Sequence, residues 1–428
     1  MMNHFIPLKS IAQSFNECIN QGLINPEKDT TTIFYDNDFL KVKIKELKES
    51  FPESTLHTSA VKANPLVKIL KTIKSLGLGA EVASEGELFL AQKTGFGSDQ
   101  IIFDSPVKTT EELTQALKSH IYINADSLME LDRIVKLKQE IVSKSLIGLR
   151  INPQVGHGKI ASTSLAGEYS KFGVPIKHYS DRIIDYFFYY EWLKGIHMHI
   201  GSQGCEMQLL LNGIEKGLQI IKEINKKLES ENRKVEFLDI GGGLPVSYHH
   251  NQYPPDIKIY GQELQNLLKK YKLEDIKLIT EFGRYLHVNA GYIITKVEYV
   301  KHYPNDNTLI IHAGADLLLR ECLNPGQWFH EISLLDKAGN PKKSGTLKKY
   351  HIAGPLCFAN DIVARDVQLP EAVEGDYLVI HDTGGYTFGM WSKYVSRLFP
   401  KIIGKEDNDY SLIKERETVE DIFKFWNG

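Results

Sequence analysis

Residues 55–94 read TLHTSAVKANPLVKILKTIKSLGLGAEVASEGELFLAQKT, an alternation of short apolar runs and helical patterns. The run at Thr55–Ala63 precedes a helical pattern at Leu66–Leu76, and the run at Gly79–Ser84 precedes another at Glu85–Thr94. Strands that are followed by helices of about 10–15 residues are typical of βα units in a parallel sheet. This segment therefore predicts an α/β fold.

The same alternation continues along the chain, and further helical patterns lie at Thr110–Lys118, Leu128–Gln139 and Leu209–Leu228. The predicted strands are Thr55–Ala63, Gly79–Ser84, Gln100–Asp104, Ile121–Ala125, Ser145–Asn152, Leu193–Gly201, Val235–Gly241 and Ile276–Glu281. Eight such units within roughly 230 residues match a TIM-type (β/α)₈ barrel in number and length. A doubly wound open sheet is the alternative that this alternation also allows.

After about residue 290 the helical patterns stop. Predicted strands at Tyr292–Val300, Thr308–Ile311, Lys349–Ile352 and Tyr377–His381 follow one another, with Gly and Pro at the turns between them. This pattern indicates a second, β-rich domain. We expect the barrel to comprise residues 37–289, and the β-rich domain to comprise residues 1–36 and 290–428.

The composition excludes several classes of protein. A chain of 428 residues with 42% hydrophobic and 25% charged residues is too long for one ordinary core and is typical of a globular enzyme. The net charge of -3 gives no reason to expect a nucleic acid or an anionic membrane as a partner. No apolar run has the length of a membrane span, and residues 1–20 lack the apolar core of a signal peptide.

The four cysteines, Cys18, Cys205, Cys322 and Cys357, lie far apart in the sequence and form no CxxC pair. This spacing argues against a zinc site and against a disulfide scaffold, so no metal is expected. It suits a reducing compartment, and the cytoplasm is the expected location.

Lys62 stands among small and apolar residues at the predicted end of the first barrel strand. Desolvation lowers the pKa of an amine, and a neutral amine condenses with an aldehyde. Most lysines at strand ends are simply solvated, so the hypothesis depends on what else lies at this end of the barrel.

Active sites of such barrels lie at the C-terminal ends of the strands, and polar residues recur there in this chain. They are Lys62, Ser84, Arg150, Asn152, His197, His199, Ser202, Asp239, Glu281 and Arg284. Each has an ordinary structural interpretation, as an interior histidine or an ion-pair partner. On the rule that strand side chains alternate, we expect at most one of His197 and His199 to face the site.

Three glycines, Gly241–Gly243, follow the seventh predicted strand. They are typical of a flexible turn, but the loops after the last barrel strands also bind phosphate through bare backbone N–H groups. With Lys62, the ring of His199 and the carboxylate of Glu281, they form the set of groups that pyridoxal phosphate requires. A carboxylate paired with the pyridine nitrogen keeps that nitrogen protonated, which suits a reaction that releases CO₂.

At this point the sequence resembles the fold-type III pyridoxal-phosphate decarboxylases, the family of diaminopimelate, ornithine and biosynthetic arginine decarboxylases. The likeness covers most of the chain and is closest to the diaminopimelate branch. The matching motifs are Phe34-Tyr35-Asp36, Ala60-Val61-Lys62-Ala63-Asn64, Gly79-Ala80-Glu81-Val82-Ala83-Ser84, Gly86-Glu87-Leu88, Ser170-Lys171-Phe172-Gly173, His199-Ile200-Gly201-Ser202-Gln203, Gly241-Gly242-Gly243, Glu281-Phe282-Gly283-Arg284, Gly354-Pro355-Leu356-Cys357 with Asp361, and Gly384-Gly385-Tyr386.

The resemblance implies an alanine racemase-like fold and pyridoxal 5'-phosphate as the cofactor. Lys62 would form the Schiff base with its aldehyde, His199 would stack on its ring and Glu281 would hold its ring nitrogen. The phosphate ligands implied are Ser202, Gly241, Gly242, Gly243, Gly283, Arg284 and Tyr386.

The resemblance also implies that Glu81 lies beside Lys62, with Arg150 as the ion partner of Glu81. Cys357 would come from a second subunit and act as a proton donor. The expected assembly is therefore a homodimer with shared active sites.

The substrate-binding motifs depart from the diaminopimelate pattern. Phe358 stands where that branch has glutamate after the cysteine, and Asn324 stands where it has tyrosine, whereas Arg320 is retained. Phe282 replaces a proline and Val395 an asparagine. The residues implied around the substrate are Arg284, Arg320, Asn324, Phe358, Asp361 and Tyr386.

Arg320 favours a substrate with a distal carboxylate, which a guanidinium binds in a bidentate pair. Ala313 stands where the ornithine branch has an aspartate for a distal amine, so a simple diamine-forming enzyme is disfavoured. The resemblance thus predicts decarboxylation of an amino acid that bears a distal carboxylate. A larger carboxylated siderophore or polyamine precursor is one alternative, and residues 361–367 loosely resemble the siderophore branch.

Three other classes remain as alternatives. Glu281 argues against a racemase, which usually pairs the pyridine nitrogen with arginine. The residues after 289, with Cys357 and Tyr386, argue against a non-catalytic carrier built from a lone barrel. An inactive relative with a regulatory role is disfavoured because Lys62 and Cys357 are both present.

Overall fold

A computed structural model describes residues 4–304, 306–343 and 345–428. The chain divides into two compact units. The barrel unit comprises Val42–Val246 and Pro254–Leu286, and the sheet unit comprises Met1–Lys41, Ser247–Tyr253 and His287–Gly428. We propose that these units correspond to two domains with sequence limits near residues 37 and 289.

Within the described residues, ten strands lie before residue 282, and the first of them belongs to the sheet unit. In chain order they are β1 Thr31–Asp36, β2 Leu56–Ala60, β3 Gly79–Val82, β4 Ile101–Asp104, β5 Tyr122–Ala125, β6 Ile147–Asn152, β7 Val174–Pro175, β8 Leu193–His197, β9 Phe237–Asp239 and β10 Lys277–Glu281. Strands β2–β6 and β8–β10 are parallel, and the pairings β10–β2 and β5–β6 close them into a barrel. The predicted (β/α)₈ barrel is confirmed, and the open-sheet alternative is wrong.

The α-helices of the described residues, in chain order, are α1 Leu8–Asn20, α2 Asn37–Ser50, α3 Val67–Ser75, α4 Glu85–Thr94, α5 Thr110–Lys118, α6 Leu128–Glu140, α7 Ile176–Tyr189, α8 Met207–Leu228, α9 Ile257–Tyr271, α10 Arg284–His287, α11 Leu319–Leu323 and α12 Val419–Asn427. Five of the helices in the barrel unit, α3, α4, α5, α6 and α8, lie at the predicted helical patterns. The hydroxyls of Ser84, Thr109 and Ser127 accept backbone N–H bonds at the starts of α4, α5 and α6. Among the helices of the described chain, none combines the length and apolar character that a membrane crossing needs.

The interior of the barrel is packed with side chains. Phe237 on β9 lies so close to Gly148 on β6 and Gly195 on β8 that a Cβ at either glycine would overlap its ring. Ile102 and Ile279 pack in the same cluster. Because all eight strands are parallel, their C-terminal residues meet at one end of this packed core.

The sheet unit contains the remaining strands. They are β11 Gly291–His302, β12 Asn307–Ile311, β13 Ile332–Leu335, β14 Leu347–Ala353, β15 Ile362–Pro370, β16 Tyr377–Ile380, β17 Lys401–Glu406 and β18 Asp409–Lys414. Together with β1 they form a mixed sheet in the order β15-β14-β12-β11-β1-β17-β18, to which β16 and β13 are added through β11.

Helix α1 packs its apolar side on this sheet. Ile11, Phe15 and Cys18 share one helix face and are buried with Phe34 of β1 and Tyr292 of β11.

The prediction missed β13, β15, β17 and β18. Strands β15 and β18 carry many polar and half-exposed residues, so they lack the apolar run that identifies a strand in sequence.

Candidate active site

Lys62 lies in a single 3₁₀ turn, Val61–Ala63, that directly follows β2. Its Nζ lies 2.6 Å from Oε1 and 2.5 Å from Oε2 of Glu81 on β3. The Lys62 side chain is 41% exposed, whereas that of Glu81 is completely buried. Burial raises the pKa of Glu81 to about 8, although the charge of Lys62 opposes this shift. The structure thus brings an accessible amine and a carboxylate that can take its proton together, as the resemblance implied.

Arg150, at the end of β6, pairs with two carboxylates other than the expected Glu81. Its Nη1 lies 3.2 Å from Oδ2 of Asp104 and 3.4 Å from Oδ1 of Asp126, and its guanidinium stacks on Phe172 at 4.5 Å. The predicted ion pair between Arg150 and Glu81 is wrong, because the ends of β4 and β5 lie nearer to β6 around the barrel than β3 does. Asp104 and Asp126 were missed, although both stand at the ends of predicted strands.

Glu281, the last residue of β10, lies beside both histidines of the β8 segment. Its Oε2 is 3.6 Å from Nε2 of His197 and 3.9 Å from Nδ1 of His199. The expectation that only one histidine faces the site is wrong, because residues two apart on an extended chain point to the same side. His197 is fully buried, and Nδ1 of His199 accepts the N–H of Gly242 at 3.3 Å.

The charges around Glu281 decide which groups are ionised. Burial lowers the pKa of His197, but the carboxylates of Asp104, Asp239 and Glu281 raise it to about 9. Burial raises the pKa of Glu281, yet the charge of His197, the contacts with His197 and His199 and the charge of Lys62 together outweigh burial and hold this pKa well below its ordinary value. Burial and the charge of Glu281 raise the pKa of Asp239, the last residue of β9. Glu281 is therefore an ionised carboxylate at the bottom of the site.

The loop Gly241–Gly243 follows β9 and admits no side chains. A Cβ on Gly241 would lie 2.6 Å from Nδ1 of His199, and one on Gly243 would lie 2.1 Å from the carbonyl oxygen of Gly201. Gly241 and Gly243 also have positive φ values of 63° and 96°. The loop is consequently bare of side chains, as a phosphate cradle requires, although the N–H groups of Gly241 and Gly242 donate to Oδ1 of Asp239 and Nδ1 of His199.

Two more predicted phosphate ligands lie together in the barrel unit. Nε of Arg284 donates to Oγ of Ser202 at 3.2 Å. Gly283 lies between Arg284 and β10 in the chain. Glu281 is the last residue of β10 and Arg284 lies shortly after it, so the end of one strand positions both side chains.

Cys357 lies in the loop between β14 and β15 of the sheet unit, and its thiol is exposed. Tyr394 donates its hydroxyl to the carbonyl oxygen of Cys357 at 3.4 Å, and its ring lies 6.3 Å from that of Phe358. Phe358 is 37% exposed and offers this loop no charge.

Asp361 is a buried anchor of the Cys357 loop. Its Oδ1 accepts the N–H of Ala315 and its Oδ2 accepts the N–H of Leu356, both at 2.6 Å. It is only 3% exposed, and the backbone of Gly314 and Gly354 packs against it. Both oxygens of Asp361 thus accept backbone N–H groups, and its binding to the substrate stays a prediction.

Arg320 is held between two aromatic rings of the sheet unit. Its guanidinium carbon lies 4.7 Å from the centre of the Trp328 ring and 4.9 Å from that of Tyr386. Tyr386 was expected in the site, but Trp328 was missed. In the sequence, the only indication of Trp328 is that an aromatic residue stands a few positions after the arginine motif. Asn324 lies on the surface at the end of α11.

The residues of the barrel unit fit pyridoxal phosphate. Oε1 of Glu281 is buried and accepts no hydrogen bond within the described ranges, so it is available to a ring N–H. The bare loop Gly241–Gly243 suits a phosphate, and the amine of Lys62 suits an aldehyde.

The chain is similar to proteins of known family. The model of the family described as "Pyridoxal-dependent decarboxylase, pyridoxal binding domain" matches residues 38–288. The diaminopimelate decarboxylase of Aquifex aeolicus is 31% identical over 420 residues, which are 97% of this chain and 93% of the relative. That of Methanocaldococcus jannaschii is 32% identical over 85% of this chain and 82% of the relative.

Solved structures agree with this likeness. Diaminopimelate decarboxylase from Helicobacter pylori, complexed with L-lysine, has a TM-score of 0.83 at 29% identity and covers 96% of this chain and 99% of its own. Lysine/ornithine decarboxylase from Vibrio vulnificus, complexed with cadaverine, has a TM-score of 0.75 at 19% identity and shares the fold. The chain therefore belongs to the pyridoxal-dependent decarboxylases, the carboxy-lyases whose cofactor is pyridoxal phosphate.

Proposed function

We propose that this enzyme removes a carboxylate from diaminopimelate and so forms lysine. The observation that carries the proposal is Arg320, whose guanidinium lies between the rings of Trp328 and Tyr386 and has the charge and shape that bind a distal carboxylate. The nearly full-length similarity to diaminopimelate decarboxylases supports it. Ala313, which is completely buried and apolar, offers no partner for a substrate held through a distal amine alone, so a simple diamine product is disfavoured.

The barrel residues have the following proposed roles toward the cofactor. When bound, pyridoxal phosphate supplies an electron sink for the electrons that remain after CO₂ departs. Lys62 holds the aldehyde carbon and Glu81 receives the proton that the amine must lose. His199 packs on the ring and Glu281 accepts the N–H of its nitrogen. The phosphate ligands proposed are Ser202, Gly241, Gly242, Gly243, Gly283, Arg284 and Tyr386.

We further propose a homodimer in which each active site receives Cys357 from the second subunit as a proton donor. The exposed thiol supports this role, and so does the apolar surface beside it, where Phe358, Tyr394 and Val395 are 37%, 50% and 48% exposed. All four cysteines are free thiols, which is in keeping with our proposal that the enzyme works in the reducing cytoplasm.

The test of substrate is CO₂ release by the cofactor-loaded enzyme from a panel of amino acids. The panel contains diaminopimelate, lysine, ornithine, arginine, glutamate and carboxylated polyamine and siderophore precursors. We expect release from diaminopimelate with lysine as the product, and a raised KM in Arg320→Gln. Release only from a larger precursor would overturn the substrate assignment and show that Phe358 and Asn324 belong to a rebuilt pocket.

The role of Lys62 is tested by the absorbance of the bound cofactor. Lys62→Ala is expected to lose the band of the covalently held aldehyde, because no other amine replaces Nζ. Lys71→Ala, which removes an exposed lysine of α3, is the matched control and should keep the band. A Lys62→Ala protein with the wild-type band would exclude this lysine.

The shared site is tested by mixing two inactive variants, Lys62→Ala and Cys357→Ala. After subunit exchange, roughly a quarter of the wild-type activity should return, since half of the dimers are mixed and each has one intact site. Exchange without any recovery would show that Cys357 acts within its own subunit, and an active Cys357→Ala protein would show that this cysteine has no part in turnover.

A further inference from the structure

His197 has an arrangement that the roles above do not explain. It is fully buried at the end of β8 and lies between two carboxylates from other strands. Its Nδ1 is 3.5 Å from Oδ1 of Asp104, the last residue of β4. Its Nε2 is 3.6 Å from Oε2 of Glu281, the last residue of β10. Neither ring nitrogen has another hydrogen-bond partner among the residues that the structure describes.

This geometry selects one protonation state of the ring. A neutral imidazole carries a proton on one nitrogen and a lone pair on the other. Between two carboxylates, the lone pair of a neutral ring would face an anion whichever tautomer formed. Only the doubly protonated imidazolium directs an N–H toward both Asp104 and Glu281.

The other charged groups near His197 have partners of their own, so the two carboxylates still favour a doubly protonated ring. Arg150 of β6 is engaged by Asp104 and Asp126. Asp239 of β9 accepts hydrogen bonds from Nδ2 of Asn124 and the N–H of Gly241. On the same segment as His197, Nδ1 of His199 lies 3.9 Å from Oε2 of Glu281 and accepts the N–H of Gly242. Lys62 and Glu81 pair with each other. His197 therefore places positive charge directly beside the carboxylate of Glu281, and the charge of Lys62 and the contact with His199 add to this effect.

We propose that His197 is an imidazolium at neutral pH that keeps Glu281 ionised and aimed at the cofactor, and so acts as a positioning residue of the decarboxylase. A lone buried carboxylic acid would keep its proton and act as a donor, and could not accept a ring N–H. His197 thus decides the protonation of the cofactor nitrogen through Glu281. The inference rests on the proposed role of Glu281 in holding that nitrogen.

His197→Gln tests this role because glutamine is polar but cannot carry the charge. We expect the affinity for pyridoxal phosphate to fall roughly tenfold or more, as for the loss of a charge-assisted contact. The absorbance of the bound cofactor should also change with pH between about 5 and 8, as Glu281 and the ring nitrogen begin to titrate. His57→Gln is the matched control.

His57 is 5% exposed on β2 of the same barrel, and its Nδ1 forms a hydrogen bond with the hydroxyl of Thr280 at 2.8 Å. Its replacement should lower stability and leave the pH profile of the cofactor band unchanged. A His197→Gln protein that binds the cofactor and titrates like His57→Gln would overturn the inference. A wild-type protein without a Lys62-dependent band would instead overturn the proposed function.

A second measurement does not depend on a folded His197 variant. In wild-type holoenzyme with ¹⁵N-labelled histidine, one imidazole should have both nitrogens protonated at pH 8. His330, whose Nε2 lies 2.9 Å from Oε1 of Glu321, is the other candidate for this signal. The signal that persists in His330→Gln is assigned to His197. Absence of any doubly protonated ring in that variant at pH 8 would overturn the inference.

Discussion

Val395 has a backbone conformation that a valine rarely adopts. Its φ is 61° and its ψ is 12°, which is the left-handed region. For a β-branched residue this region is strained by roughly 1–2 kcal/mol, whereas asparagine tolerates it. The diaminopimelate branch has asparagine at this position, so the valine introduces strain that this chain retains.

Within one subunit, Val395→Asn is expected to raise the free energy of unfolding by about 1 kcal/mol, because the strain is relieved and the side chain, 48% exposed there, loses little burial. The measurement is urea unfolding of the two proteins. Val42→Asn is the control, since Val42 is 43% exposed within α2, and it should bring no gain. A Val395→Asn protein less stable than wild type would show that the valine side chain makes contacts of its own.

At the scale of elements, the loop Gly241–Gly243 is defined by backbone approach. A Cβ on Gly243 would lie 2.1 Å from the carbonyl oxygen of Gly201, a backbone atom that cannot rotate away. Gly243→Ala should therefore displace the loop and weaken binding of pyridoxal phosphate by roughly tenfold or more, which is at least 1.4 kcal/mol. The measurement is equilibrium titration with the cofactor.

Gly22→Ala separates this effect from backbone strain alone. Gly22 has a φ of 72°, but nothing lies within 4 Å of the position of its Cβ. This variant should lose some stability and keep its cofactor affinity. Equal affinities of Gly243→Ala and Gly22→Ala would contradict the assignment of the loop as a phosphate cradle.

The loop that carries Cys357 depends on the carboxylate of Asp361. In Asp361→Asn, one oxygen becomes an NH₂ group that faces a backbone N–H, so one buried hydrogen bond is lost. We expect a loss of about 1–3 kcal/mol in stability and a lower kcat with unchanged cofactor binding. Asp366→Asn, at an exposed aspartate of β15, is the control for the loss of charge. Wild-type kcat in Asp361→Asn would show that the loop needs no such anchor.

At the scale of the whole molecule, His197 couples stability to pH. Its pKa is about 9 in the folded chain, against 6.5 ordinarily. A raised pKa gives stability that is complete below the unfolded value and is lost as pH rises through the folded value. The free energy of unfolding should therefore fall by up to about 3 kcal/mol between pH 6.5 and about 9, at about 1.4 kcal/mol per unit.

Urea unfolding of the holoenzyme at several pH values measures this slope in wild type and in His197→Gln. Glu81, whose pKa burial raises to about 8, contributes in the same direction in both proteins, and Glu281 titrates below about pH 8 in the variant. The two slopes are therefore compared above about pH 8, where the difference belongs to His197. The variant should show the shallower dependence. Equal slopes would mean that His197 is neutral in the folded chain.

Alternation of apolar runs and helical patterns determined the barrel, because each βα unit is encoded locally and parallel strands place their ends together. Lys62, His199, Glu281 and the glycine loop were predictable for this reason, since each stands at the end of a recognisable strand. The polar strands of the sheet unit were not predictable, because their pairing depends on residues that are far away in the sequence.

Only the tertiary structure decided which of these groups contact one another. Arg150 pairs with Asp104 and Asp126, both of His197's nitrogens face carboxylates, and Asp361 binds backbone. Such contacts join strands that are far apart in sequence, and they follow from the order of strands around the closed barrel and from the packing of the sheet. Sequence alone determines which chemical groups reach the site, whereas their ionisation follows from the burial and charge that folding brings around them.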